Sequence, residues 1–211
     1  MEKQNWDISF EMHLDKYREI DPAEATKRTN LFFDKESSRF TLHTLGNKLY
    51  AEWPEFKLLP ADIEACPKTL YDFQMQVLAM RVLYLGNYAP QTGNFKAYRD
   101  LPWGGLYDAN FSGRCIKRFA FGFGYNPQSF VKAAESLGGI KCDLGDAAYD
   151  FPFFGGITCR FILWKPDDEF PPSAQILFSD NVVFMYNAED LAAVGDVIIG
   201  ALKEKAKQLQ Q

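Results

Sequence analysis

Three consecutive pieces decide the fold: ITCRFILW (Ile157–Trp164), KPDDEFPP (Lys165–Pro172) and AQILF (Ala174–Phe178). The first alternates. Ile157, Cys159, Phe161 and Leu163 fall on one face of an extended strand, and Thr158, Arg160, Ile162 and Trp164 on the other. The acidic, proline-rich middle piece is a turn, and so short a connection brings AQILF back as an antiparallel partner. NVVFMY (Asn181–Tyr186) reads as a third strand. A closing helix then starts at Asn187, an N-cap residue with Asp190 at the third helical position. It buries Leu191, Val194, Ile198 and Leu202 and ends on Lys203, Lys205 and Lys207, the charge order that a helix dipole favours.

Upstream of this block the pattern is helical. Asn126 as cap, Pro127 in the first turn and Gly138-Gly139 at the close predict one helix. Phe111, Cys115 and Phe119, at four-residue steps, predict another from about Asn110. Leu70, Phe73, Val77, Met80 and Tyr84 make an apolar stripe over a helix from about Pro67 to Leu85. Between these, NYAPQTGN and YRDLPWGGLYDAN (Tyr98–Asn110) hold too many breakers for a regular element and read as loop, carrying Trp103. RFTLHTLG and KLYAEW flank Gly46-Asn47 as a hairpin with Phe40, Leu42 and Thr44 on one face. Asp21 and Pro22 open a short helix, and Trp6, Phe10, His13 or Leu14, and Tyr17 space out an N-terminal one. Helices and strands come in blocks, so the expectation is a single α+β domain over residues 1–211, a mostly antiparallel sheet packed against several helices. The N-terminal helices and hairpin occupy residues 1–60.

Composition excludes several functions. The net charge of -5, with no run of Lys and Arg, lacks the positive field a nucleic-acid binder needs. Arg114, Lys117 and Arg118 read as a solvated helix face. No apolar run is long enough to span a bilayer, and the polar start MEKQNWDISF is unlike a secretory peptide, so a cytoplasmic protein with no membrane partner is expected. Cys66, Cys115, Cys142 and Cys159 are scattered and, with His13 and His43, give no metal-ligand spacing. They read as buried thiols and structural histidines, and no metal site is expected. Phosphate-binding glycine loops, the GxSxG elbow and HExxH are all absent, and the sequence names no cofactor.

Chemistry is concentrated between Asp143 and Glu169. Asp146, before the ITCRFILW strand, can meet Asp168 or Glu169 after it; two carboxylates sharing a site make an acid–base pair or a hard-cation site. The same residues also suit turn capping. Arg160 projects among apolar neighbours, either to clamp an anionic substrate or to pair with Asp146 or Asp180. Trp103 and Trp164 are placed to close over a flat ligand or to plug the core.

Four spaced segments, LPWGGLY, LGDAAYDFPFF, ILWKPDDEFPPSAQILFSD and AEDL, resemble a family known as a domain of unknown function (family 3786), from about Leu58 onward. The resemblance points to Asp146, Trp164, Asp168, Glu169 and Phe170. It implies a setting in anaerobic bacteria and archaea, with some members fused to or encoded beside iron–sulfur and corrinoid components. This chain has no clustered cysteines, so a cluster would belong to a partner protein. Two readings result. One is a ligand-binding or accessory module in anaerobic redox or one-carbon metabolism, holding a small-molecule ligand or docking on an iron–sulfur or corrinoid protein. The other is a small-molecule enzyme that pairs Asp146 with Asp168 or Glu169, with or without a divalent metal. A protein that only docks a partner, without a pocket, is a third.

Overall fold

The computed structural model describes residues 2–210, with side chains from Phe10 to Gln210, so the reading of Trp6 lies outside the described side chains. Helix α1 (Glu2–Arg18) leads to α2 (Pro22–Thr29), where the Asp21 carboxylate accepts from the amides of Ala23 at 2.7 Å and Glu24 at 3.4 Å. A four-stranded antiparallel meander follows: β1 (Phe32–Asp34), β2 (Arg39–Thr44), β3 (Asn47–Glu52) and β4 (Leu58–Pro60). Phe40, Leu42 and Thr44 are buried together, as the alternation predicts. The hairpin turn is Leu45-Gly46 rather than Gly46-Asn47. Asn47 pairs with Thr44, and both turn residues take positive φ, 45° and 68°. Left-handed backbone at both positions is the type I′ geometry, one of the two-residue turns whose twist matches that of the strands.

The expected helix over Pro67–Leu85 is split. A 3-10 turn (Lys68–Leu70) precedes α3 (Phe73–Leu85), whose first turn is capped by Asp72 accepting from the Met75 amide. Strand β5 (Phe95–Ala97) and a 3-10 turn (Tyr98–Asp100) come next. The stretch predicted as loop then becomes helix α4 (Gly104–Phe111), which runs through a π-helical segment (Ser112–Lys117) into α5 (Arg118–Phe123). Its first glycine is there for packing. A Cβ on Gly104 would lie 1.8 Å from the Tyr98 carbonyl oxygen, so only glycine lets the helix start sit on that turn. Helix α6 (Pro127–Ser136) lacks the side-chain cap expected from Asn126. Its close is as expected: Gly138 at φ 67° and amide bonds from Gly138 to Glu135 and from Gly139 to Ala134 form a Schellman ending.

The second sheet is also antiparallel, in the order β5-β9-β8-β7-β6, from β6 (Ile140–Cys142), β7 (Ala147–Phe153), β8 (Ile157–Trp164) and β9 (Ser173–Ser179). Strand β7 gave little signal because Pro152 interrupts it. The proline is tolerated because β6 pairs only with residues 148–150, leaving Pro152 without a neighbour on that side. Its carbonyl instead accepts from the Leu45 amide and joins the two sheets. NVVFMY is not a strand but a 3-10 turn (Asp180–Phe184). The Asn181 side chain donates to the carbonyls of Ala89 and Gly156 and accepts from Ser179 Oγ, and these bonds take the place of a ladder.

The buried face of β7 and β8 meets α5 and α6 in an edge-to-face cluster. Phe161 lies 5.1 Å from Phe119 and 5.6 Å from Phe151, and Phe130 lies 4.9 Å from Phe119 and 5.5 Å from Tyr149. Helix α7 (Ala188–Gln208) closes the domain, packing on α3, α6 and the α4–α5 rod. Asn187 and Asp190 form a reciprocal capping box at its start. The result is a single α+β domain with two antiparallel sheets. Among the described residues no helix is long and apolar enough to cross a membrane. Phe161, fully buried on the central strand, is the sharpest test of this packing. Phe161→Ala is expected to cost about 3–5 kcal/mol in urea unfolding, whereas a loss below about 1 kcal/mol would place the core elsewhere.

An aromatic cleft as candidate functional site

The site is built on the 3-10 turn before α4. Tyr98 and Phe111 stack face to face, 4.1 Å apart and 4° from parallel, and the Tyr98 hydroxyl donates to the Ala188 carbonyl at 2.8 Å. This buried floor ties the rod to the first turn of α7. Because Gly104 is pressed onto the Tyr98 carbonyl, the residue before it is turned outward. Trp103 takes φ 62°, ψ -4°, left-handed backbone that costs a bulky side chain about 1–3 kcal/mol, and its side chain is 67% exposed. Tyr107, one turn on, is 52% exposed. Among the described residues neither ring contacts another aromatic ring, unlike most aromatics of this chain. They rim a cleft of about 500 Å³ that Asn110, Arg114, Asn187 and Glu189 complete.

Charges around the cleft are mostly paired. Arg114 donates twice to Asp196, at 3.1 and 2.9 Å, and Arg118 reaches the same carboxylate. Arg81 holds the largely buried Asp190 through contacts of 2.6 and 3.1 Å. Glu189 has no hydrogen-bond or ion-pair partner among the described residues. Burial, then the Cys115 thiol, the Tyr107 phenol and the carboxylates of Asp108 and Glu189, push the Tyr98 phenol above its usual range. On the far side of Glu189 and Arg114 lies a second hollow of about 380 Å³, lined by Met12, His13, Phe73, Val77, Arg81 and Asp190. His13 is buried, with Nδ1 2.7 Å from the Tyr84 hydroxyl. Burial, reinforced by Arg81 and Lys16, holds its imidazole below the usual range.

The residues singled out in the sequence divide between places. Trp103 rims the cleft. Trp164, Asp146 and Phe170 meet in a separate open hollow of about 690 Å³ with Asp167. There the Asp146 carboxylate accepts from the Lys165 amide at 2.8 Å, with the Lys165 ammonium 3.6 Å away. Asp167, not Asp168 or Glu169, folds its carboxylate back, onto the amides of Glu169 and Phe170. No hydrogen bond or ion pair joins Asp146 to Asp168 or Glu169 among the described residues. Arg160 pairs with Asp150 opposite it in the sheet, through bonds of 2.7 and 2.8 Å, and lies 3.8 Å from the Phe95 ring centre. Neither Asp146 nor Asp180 is its partner; Asp180 accepts from Thr92. Among the described residues no group of three or more His, Cys, Asp or Glu side chains is placed to hold a metal ion. Cys66, Cys115 and Cys159 are buried free thiols, and Cys142 is partly exposed.

Tyr98, Tyr107, Arg114 and Glu189 were not candidates from sequence. The signal for them was nonetheless in view. LPWGGLY, with Trp103 and Tyr107, and AEDL, with Glu189, are two segments of the family resemblance, and they face one another across the cleft.

Fold and cleft together define a single-domain α+β protein with an aromatic cleft at the start of its last helix. The chain belongs to the family described as a domain of unknown function (DUF3786), whose model matches residues 21–201. The match takes in the first sheet as well as the cleft, and leaves out α1 with His13. No curated protein and no solved structure matches the chain.

The His13 environment predicts how stability changes with pH. The imidazole is harder to protonate in the fold than in the unfolded chain, so acid favours unfolding. Its contribution is complete above the unfolded value of 6.5 and lost as pH falls through 6.5 toward the lower folded value. The urea midpoint of the wild type is therefore expected to drop more than that of His13→Gln between about pH 7.5 and pH 5. Equal drops would show that His13 titrates freely.

Proposed function

We propose that this protein is a ligand-binding module, and that its ligand is a small molecule held between Trp103 and Tyr107 over the Tyr98–Phe111 floor. The observation that carries this reading is Trp103. A tryptophan kept in left-handed backbone, largely exposed and without an aromatic neighbour among the described residues, is strained where it buries little. Strain of this kind persists where function needs it. The cleft has the size and the mixture of aromatic walls and few polar groups typical of small-molecule sites. The metabolic setting comes from the family resemblance: a cytoplasmic accessory protein of anaerobic redox or one-carbon metabolism, working beside an iron–sulfur or corrinoid protein. Asp146, Trp164 and Phe170 form a second, shallower face suited to meeting that partner, with Asp168 and Glu169 exposed nearby.

Trp103→Gly separates function from folding. Glycine adopts the left-handed backbone without strain, so the variant is expected to unfold at the same or higher urea concentration than the wild type. Native mass spectrometry of the wild type, purified without oxygen and offered a panel of neutral and cationic aromatic compounds, should show a bound mass that Trp103→Gly loses. A marked drop in stability would make Trp103 a core plug, and a wild type that retains nothing from the panel would contradict the reading.

A further inference from the structure

We infer that the ligand class of this cleft is a small organic cation, an ammonium carrying alkyl or aryl groups; the inference rests on the ligand-binding reading above. Three observations converge. First, the walls are electron-rich rings: Trp103 and Tyr107 stand free on the rim, and Tyr98 and Phe111 form the floor. A cation over such faces is attracted by the ring quadrupole, most strongly for tryptophan. Second, the formal charges divide unevenly. Arg114 is committed to Asp196 through two bonds, and Arg81 to Asp190, whereas the Glu189 carboxylate lining the cleft has no hydrogen-bond or ion-pair partner among the described residues. Third, two carboxylates act on the floor: after burial, Cys115 and Tyr107, the charges of Asp108 and Glu189 help hold the Tyr98 hydroxyl above its usual range. A neutral flat ligand would use the rings and leave Glu189 idle; an anion would meet that carboxylate directly. An alkylated ammonium uses both, with its methyl or methylene groups against Trp103 and Tyr107 and its charge balanced by Glu189. It needs no hydrogen bond, in keeping with a cleft whose other polar side chains include the amides of Asn110 and Asn187 and an Arg114 guanidinium already bonded to Asp196.

Benzyltrimethylammonium and choline are the probes, with benzyl alcohol and dimethylbutanol, the uncharged carbon isostere of choline, as matched neutral compounds. Binding is read by calorimetry on wild type, Glu189→Gln and Trp103→Gly. The expected result is saturable binding of the cations, at least about tenfold tighter than of their neutral counterparts. Glu189→Gln removes most of that preference, and Trp103→Gly removes binding altogether. Glu189 is exposed, so its loss leaves the fold intact, which circular dichroism on the same samples verifies. Benzyl alcohol binding as tightly as the cation, with Glu189→Gln unchanged and Trp103→Gly inactive, overturns the cation class and leaves the cleft as a site for neutral rings. No binding of any of the four compounds overturns the class and the ligand-binding reading together.

Discussion

Asp190 is the residue on which the arrangement turns. Its carboxylate accepts from the Asn187 amide, closing the capping box of α7, and also pairs with Arg81 of α3 while largely withdrawn from water. A buried pair of this kind adds little net stability, but removing one partner costs about 3–5 kcal/mol because a charge is left buried and unpaired. Its effect is therefore geometric. It fixes where α7 begins relative to α3, and so where the Ala188 carbonyl waits for the Tyr98 hydroxyl and where Glu189 faces the cleft. The reach of Tyr98 then sets the rod, and the contact between Gly104 and the Tyr98 carbonyl sets Trp103.

That chain of contacts explains why the cleft is open. Many aromatic side chains of this protein are spent in the core, as around Phe119, Phe130 and Phe161, where edge-to-face contacts close them against one another. Trp103 and Tyr107 are kept out of that packing by the course of the backbone, not by lack of apolar surface to bury. The π-helical segment that follows keeps Phe111 and Cys115 inward, and burial pushes the Cys115 thiol up to about 12. The inner side of the rod is inert, and its chemistry faces outward.

How far the sequence could be read follows from what each element depends on. Strands β8 and β9 and helix α7 were legible because their periodicity, turn and caps are local and agree with their burial. The rod was not, because Gly104 and Gly105 resemble a loop until the Tyr98 carbonyl beneath them is known. Strand β7 and the 3-10 turn at Asn181 were hidden for the same reason: a proline tolerated beside a short neighbour, and side-chain bonds to residues 25 and 92 positions away. At the site, Trp103 was legible as an aromatic between breakers that could close over a ligand or plug the core, and only the fold shows it exposed. Glu189 was not, since within AEDL it reads as an ordinary first-turn acid. The acidic residues around Lys165 drew attention through their density, and in the fold Asp146 and Asp167 bond to backbone amides of their own turns.

The most direct test of the central claim is amide hydrogen exchange on the full chain with and without benzyltrimethylammonium. If the cleft is the site, protection rises at residues 98–114 and 187–192 and nowhere else to a comparable degree. Unchanged exchange there, or protection confined to the hollow around Trp164 and Phe170, would contradict it.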